Sequence, residues 1–202
     1  MTQYSLTCVN NSTMSGSFAV FQKAPPLTVP GNVFSLAWFA RPTAPGSQVT
    51  FQWTVDYSFV WSETGILKPG INFAASQVLA ADPNGQNLVQ LTVDAYGAST
   101  FANQSSAGAV GSLTVQQLSN VVPNRTSVGV GMSGSGTFAI QAAPNMTAVF
   151  TPHPNYWVLF GNYTTGDVMD IEDVSGSVEA TYGGSLTTRT AVMGLDNIIT
   201  VS

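Results

Sequence analysis

Charge is what this sequence has least of. Its 202 residues include 5 Lys and Arg, 10 Asp and Glu and one histidine, so charged side chains make up 7% of the chain, against roughly a quarter in an average soluble protein. The five cations, Lys23, Arg41, Lys68, Arg125 and Arg189, are scattered from end to end. Together with the net charge of −5, that spread excludes the clustered basic surface that nucleic acids or anionic membranes require. A single cysteine, Cys8, excludes an intrachain disulfide. One His and one Cys cannot supply the ligands of a histidine–thiolate metal centre. No apolar run reaches the length of a membrane span, and Met1–Asn10 lacks the basic-then-apolar pattern of a signal peptide. These absences point to an intracellular protein, cytoplasmic or vacuolar, without membrane insertion.

Neutral polar groups take the place of charge. There are 22 Thr, 21 Ser and 13 Asn, and they must cover most of the surface. Such a surface carries little like-charge repulsion, so copies of the chain can approach closely. The hydrophobic fraction of 44% sustains a core without disulfides or metal at this length. Six Asn-x-Ser/Thr triplets, at Asn10, Asn11, Asn103, Asn124, Asn145 and Asn162, arise readily from this composition and are read as composition, not as glycosylation sites.

The strongest local signal is Val49, Phe51, Trp53, Val55 and Tyr57 alternating with Thr50, Gln52, Thr54 and Asp56. A period of two with one apolar face reads as a half-buried antiparallel strand. Further strand-like runs are Tyr4–Val9, Ser17–Gln22, Val33–Phe39, Leu91–Ala95, Leu113–Leu118, Thr137–Gln141, Met146–Thr151, Tyr156–Tyr163, Gly176–Tyr182 and Leu186–Val192. Turn formers separate them: Ala24-Pro25-Pro26, Pro45-Gly46, Pro69-Gly70, Pro83-Asn84-Gly85 and Gly183-Gly184, the last placed as a two-residue hairpin turn. Val115–Val121 and Phe73–Ala81 are the best candidates for short helical turns. Many short strands with Gly and Pro between them predict an all-β fold, an antiparallel β-sandwich of jelly-roll or flattened-barrel type. No break in composition divides the chain, so residues 1–202 are expected to form a single domain.

Few residues have the makings of a site. Gly129-Val130-Gly131-Met132-Ser133-Gly134 has the spacing of a dinucleotide-binding loop, but turn and strand residues follow it where a helix is needed, so it reads as a glycine-rich β-turn. His153 lies between Pro152 and Pro154 and reads as a surface histidine. Glu63 and Asp56 sit on different segments and make a poor hydrolytic pair. Asp167, Asp170, Glu172, Asp173 and Glu179 hold half of the acidic residues. They read first as a solvated acidic loop. The first four are also a weak calcium candidate without EF-hand spacing, and all five are a candidate pH-sensitive contact. Trp38, Trp53, Trp61 and Trp157 with Tyr57, Tyr156 and Tyr163 belong mostly in the core. Trp61 and Tyr156 are the least constrained and are the candidate platform for a sugar. Cys8 shares strand parity with Tyr4 and Leu6 and is expected to be buried; exposed, it would allow an intermolecular disulfide.

The runs Leu36-Ala37-Trp38-Phe39-Ala40, Val49–Trp61, Ser62-Glu63-Thr64-Gly65 and Lys68-Pro69-Gly70 resemble the RhiA family. Tyr156-Trp157-Val158-Leu159-Phe160-Gly161-Asn162-Tyr163 resembles a later block of it. The resemblance spans most of the chain and implies no catalytic residues. In overall character the chain also resembles the family of the fungal vacuolar crystal protein OCTIN, which implies self-assembly into dense intracellular crystals. Two expectations follow. The first is a non-enzymatic structural protein, without cofactor, whose partner is itself in a homo-oligomer or lattice that acid promotes. The alternative is a carbohydrate-binding, lectin-like sandwich with glycans as partners.

Overall fold

The computed structural model describes residues 2–23, 32–170 and 175–202. Every element among them is a strand. In chain order these are β1 (Gln3–Asn10), β2 (Gly16–Phe21), β3 (Phe34–Ser35), β4 (Phe39–Thr43), β5 (Gln48–Thr54), β6 (Tyr57–Ser62), β7 (Gln77–Ala81), β8 (Leu88–Val93), β9 (Ser99–Ser105), β10 (Leu113–Gln117), β11 (Ser127–Met132), β12 (Ser135–Gln141), β13 (Thr147–Phe150), β14 (Tyr156–Gly161), β15 (Val178–Ala180), β16 (Thr188–Met193) and β17 (Ile199–Val201). They form four separate sheets, ordered β17-β16-β1-β5, β15-β14-β2-β4, β3-β12-β11-β6-β7 and β13-β10-β8-β9. The all-β sandwich expected from the alternating runs is what the chain builds. Two neighbouring pairs, β1 with β16 and β8 with β10, run parallel, so two of the sheets are mixed.

The sheets pack in pairs around two cores. The first two enclose Leu6, Phe18, Val20, Phe51, Trp53, Tyr156, Val158 and Met193. The other two enclose Phe59, Trp61, Leu91, Leu113, Val128, Phe138, Ile140 and Phe150. The alternation from Val49 to Tyr57 does not form one strand. It breaks after Thr54, and β6 resumes in the other pair of sheets. Ser133 fixes this crossing: its Oγ accepts the Thr54 amide at 3.0 Å and lies 2.9 Å from the Asp56 carboxylate. The side-chain parity survives the break, because Trp53 faces one core, Phe59 the other, and Tyr57 packs against both. Trp38 braces the same crossing by donating its indole N–H to the Met132 carbonyl at 2.7 Å.

Several local expectations are corrected. Phe73–Ala81 contains β7, and Val115–Val121 is the end of β10 with the loop after it; neither is helical. Their apolar residues bury against a sheet partner, which periodicity over so short a stretch does not separate from helix. Of the glycine-rich run, only Ser133 and Gly134, both with positive φ, make the turn. Gly129 and Gly131 lie inside the buried strand β11, where a Cβ would run into the carbonyl oxygens of Phe138 and Ser135 on β12. The turn near Gly183 bridges Gly183 to Leu186, one residue further on than expected, and β15 and β16 on either side of it belong to different sheets. The expected turns at Pro45-Gly46, Pro69-Gly70 and Pro83-Asn84 are present. Ala24-Pro25-Pro26 lies outside the described residues.

Gly129→Ala sets a methyl against rigid backbone and is expected to cost about 3 kcal/mol. Gly46→Ala, at φ 75° with open space around it, is expected to cost about 1 kcal/mol. Urea unfolding of both variants measures the difference, and equal losses would show that the close approach of β11 to β12 is not limiting.

Candidate functional site

The expected sugar platform is not on the surface. Trp61 is 9% exposed and Tyr156 4%. Trp61 shares the parity of Phe59 on β6 and turns into the second core, where its indole N–H donates to Gln77 Oε1 at 2.7 Å. Tyr156 opens β14 on the face of Val158. It packs against Trp53 and Tyr182, with ring centroids 4.8 and 5.5 Å away. Burial pushes its hydroxyl up to about 12, against a smaller lowering by the neighbouring Trp53 indole. Neither ring can receive a ligand from solvent.

Cys8 is fully buried in β1, between β5 and β16. Burial pushes its thiol up to about 12, so thiolate is scarce and the sulfur is out of reach of a second chain. The intermolecular disulfide is therefore excluded by position. In the native protein a thiol-reactive chromogenic reagent is expected to titrate no sulfhydryl over minutes, and one per chain after unfolding in guanidinium chloride. Prompt native reactivity would contradict the placement of β1.

The acidic segment divides. Glu172 and Asp173 lie outside the described residues. Asp167 turns inward: its carboxylate accepts the Thr164 amide at 2.7 Å, the Thr164 hydroxyl at 2.7 Å and the Asn72 side-chain amide at 2.9 Å. Partial burial alone would raise its pKa, but these hydrogen bonds outweigh the burial and hold the carboxyl below the usual range. Asp170 and Glu179 are exposed. Among the described residues no three His, Cys, Asp or Glu side chains gather as a metal site. Asp167 is thus a poor member of an acid-operated contact, since it is already committed to the Thr164–Asp167 turn and protonates late. A depressed pKa contributes stability that is present above the unfolded value and is lost as pH falls through the folded one. Asp167→Asn is accordingly expected to cost about 1 kcal/mol near neutrality. The gap from wild type should close as pH drops below the carboxylate range; a gap that persists there would mean the charge is not what holds the turn.

The remaining sequence candidates are scattered. His153 is exposed in the segment between β13 and β14. Asp56 precedes β6 and Glu63 follows it, so they sit about 20 Å apart. Asn10 is fully buried, and its side-chain amide donates to the Met14 and Thr43 carbonyls. Asn124 and Asn145 have positive φ within turns, and Asn103, also with positive φ, sits at the bulge in β9.

Two features escaped the sequence reading, and a groove accompanies them. The first is the state of the sheet edges. The β4–β5 seam is bridged by Arg41, whose Nη1 donates to the Thr50 carbonyl at 3.2 Å. The β7–β9 seam is bridged by Gln77, whose Oε1 accepts the Phe101 amide at 3.0 Å, and by Gln104, which donates to the Ala80 carbonyl at 2.6 Å. Beside β15 and β16, Arg189 donates to the Thr181 carbonyl and Tyr182 to the Ser5 carbonyl. β13 has no such bridge among the described residues. β13 pairs only with β10, and its Thr147 and Val149 are exposed. Between Asp94 and Asp167 the chain carries a single charged side chain, Arg125, so β13 lies in the least charged part of the molecule. The second feature is the Asp94–Ala98 turn at one end of the same sheet, which holds Tyr96 in solvent at 96% exposure. The groove, of about 430 Å³, opens where the ends of β14 and β15 meet the β16–β17 hairpin and is lined by Leu159, Phe160, Val178, Met193 and Ile198 among others. None of its lining residues is acidic or basic, so it offers no acid–base chemistry.

Comparison with known proteins gives a consistent result. The RhiA family model matches residues 1–202. Protein RhiA of Rhizobium leguminosarum bv. viciae is 40% identical over 200 residues, covering 97% of this chain and 84% of its own. No solved structure matches the chain.

Proposed function

The chain belongs to the RhiA family, and we propose that it is a non-enzymatic structural protein that assembles with copies of itself into an ordered intracellular array. The family name carries no activity, so the reading rests on the surface. One observation carries it: among the described residues β13 is an unbridged, uncharged sheet edge, the kind that soluble proteins ordinarily protect with Lys, Pro or a covering segment. Thr147, Ala148, Val149 and Phe150 carry no charge and no proline, and the edge carbonyls and amides face outward from β10.

The magnitudes say what kind of assembly this supports. Antiparallel pairing of two four-residue edges makes about four hydrogen bonds, each worth about 1 kcal/mol net. A total of about 4 kcal/mol corresponds to a dissociation constant near the millimolar range. A single contact is weak, so order arises only when several contacts act together at high concentration. The neutral Thr, Ser and Asn surface supplies further polar contacts, and the net charge of −5 opposes them only feebly. That opposition fades as pH falls toward the isoelectric point near 4.4. Within the acidic segment Asp167 contributes least to this, because its hydrogen bonds to Thr164 and Asn72 hold its carboxyl below the usual range.

Val149→Lys separates edge pairing from net charge. It lowers the net charge from −5 to −4, so charge alone predicts easier assembly, whereas a lysine on the edge predicts the opposite. Light scattering and sedimentation between pH 7 and 4.5 are expected to show onset rising with acidity in the wild type. In Val149→Lys the concentration at onset should rise at least tenfold. Wild-type protein that stays monomeric throughout, or a variant that assembles equally well, would overturn the proposal.

A further inference from the structure

We propose that the Asp94–Ala98 turn is a saccharide-binding tip, on which Tyr96 stacks against the apolar face of a neutral pyranose. This goes beyond self-association and does not depend on it.

The first support is a contrast within the molecule. The chain has 21 aromatic residues, from 11 Phe, 4 Trp and 6 Tyr, and all lie among the described residues. Twenty are buried or half-buried, and Tyr96 alone is exposed. A fold that covers every other ring at least in part leaves this one almost wholly in water. Scattered exposed aliphatics are ordinary, but a lone tyrosine at a loop tip presents a flat apolar face with a polar rim.

The second support is that the tip is built to hold still. Asp94 Oδ1 accepts the amides of Tyr96 at 2.8 Å and Ala98 at 2.9 Å. The Asp94 amide donates to the Ala98 carbonyl and the Gly97 amide to the Asp94 carbonyl. Gly97, at φ 84°, takes the left-handed position that the turn requires. Two neighbours clamp it from the loop between β10 and β11. Arg125 Nη1 donates to the Gly97 carbonyl at 2.7 Å, and the Asn120 side-chain amide donates to the Val93 carbonyl at 2.9 Å. A preorganised tip loses little conformational entropy on binding.

The third support is the chemistry of those clamps. Arg125 also holds Glu63, Nη2 to Oε1 at 2.8 Å, in a pair whose side chains remain 38% and 43% exposed. Asp94 uses Oδ1 for the turn, and among the described residues its Oδ2 accepts no bond. The carboxylate, amide and guanidinium groups that hold the turn and its clamps are planar, and groups of this kind suit an array of vicinal hydroxyls, which donate and accept in pairs. They do not suit the apolar surround of a protein hot spot. Asp94 and Glu63 outnumber Arg125, so the site disfavours acidic sugars and takes uncharged ones.

A glycan array probed with multivalently displayed wild-type protein, Tyr96→Ala and Tyr96→Trp tests this. The wild type and Tyr96→Trp are expected to bind neutral pyranose glycans, with at least a tenfold loss of signal in Tyr96→Ala. Because the ring supports no core, the melting temperatures should agree. An empty array, hits confined to acidic glycans, or hits that survive in Tyr96→Ala would each overturn the proposal. So would sedimentation in which Tyr96→Ala, rather than Val149→Lys, abolishes assembly, since the tip would then be a contact between copies.

Discussion

With so few ions, this protein has to close the seams between its sheets by hydrogen bonds from side chain to backbone. All three arginines are used in this way. Arg41 reaches the Thr50 carbonyl, Arg125 the Gly97 carbonyl and Arg189 the Thr181 carbonyl. Gln77 and Gln104 do the same where β7 and β9 come close without forming a ladder. The carboxylates follow suit. Asp82, Asp94, Asp167 and Asp196 each accept a backbone amide within a tight turn. Against this run of bridged seams the β13 edge, which has no bridge among the described residues, stands out.

The strands were largely legible because alternation is imposed by the pleat itself. The first strand, the half-buried β5 and the run at Tyr156 all lie where period and β-branched or aromatic content put them. The change of sheet after Thr54 was not legible. A bend that preserves parity leaves the sequence pattern intact, and only Ser133, remote in sequence, reveals it. The glycines of β11 misled for a similar reason. In sequence they look like a turn, but Gly129 and Gly131 are there because the β12 backbone leaves no room for a Cβ. Phe73–Ala81 looks helical in sequence because the edge strand within it, β7, is covered on one side and shows only a weak period.

The sites were less legible than the fold. Trp61 and Tyr156 look the least constrained of the aromatic residues in sequence, yet both sit in phase with buried neighbours, Phe59 and Val158, and parity alone buries them. Tyr96 carried the opposite signal. It lies inside Asp94-Ala95-Tyr96-Gly97, a turn with no apolar periodicity, where a ring has no sheet face to join. The state of the edges depends on strand order, which pairs segments distant in the chain, and no local pattern encodes it. Of the acidic cluster the sequence showed only proximity. The hydrogen bonds that commit Asp167 to Thr164 and Asn72 required the Asn72 loop to fold alongside it.

The open edge and the exposed tip occupy opposite sides of one sheet. In the order β13-β10-β8-β9, the open-edged strand is the first and Tyr96 caps the turn between the last two. Two strand spacings, about 10 Å, separate β13 from β8, so a copy paired along β13 leaves the Asp94–Ala98 turn uncovered. An array built through that edge would repeat the tip at a fixed spacing. Binding at one tip is weak by nature, because a sugar offers a small apolar face and hydroxyls already satisfied by water. Repetition changes this, since a second tip on the same particle meets a neighbouring glycan at high effective concentration. The proposed assembly and the proposed saccharide recognition rest on different residues, and in the strand order of this sheet the first would strengthen the second.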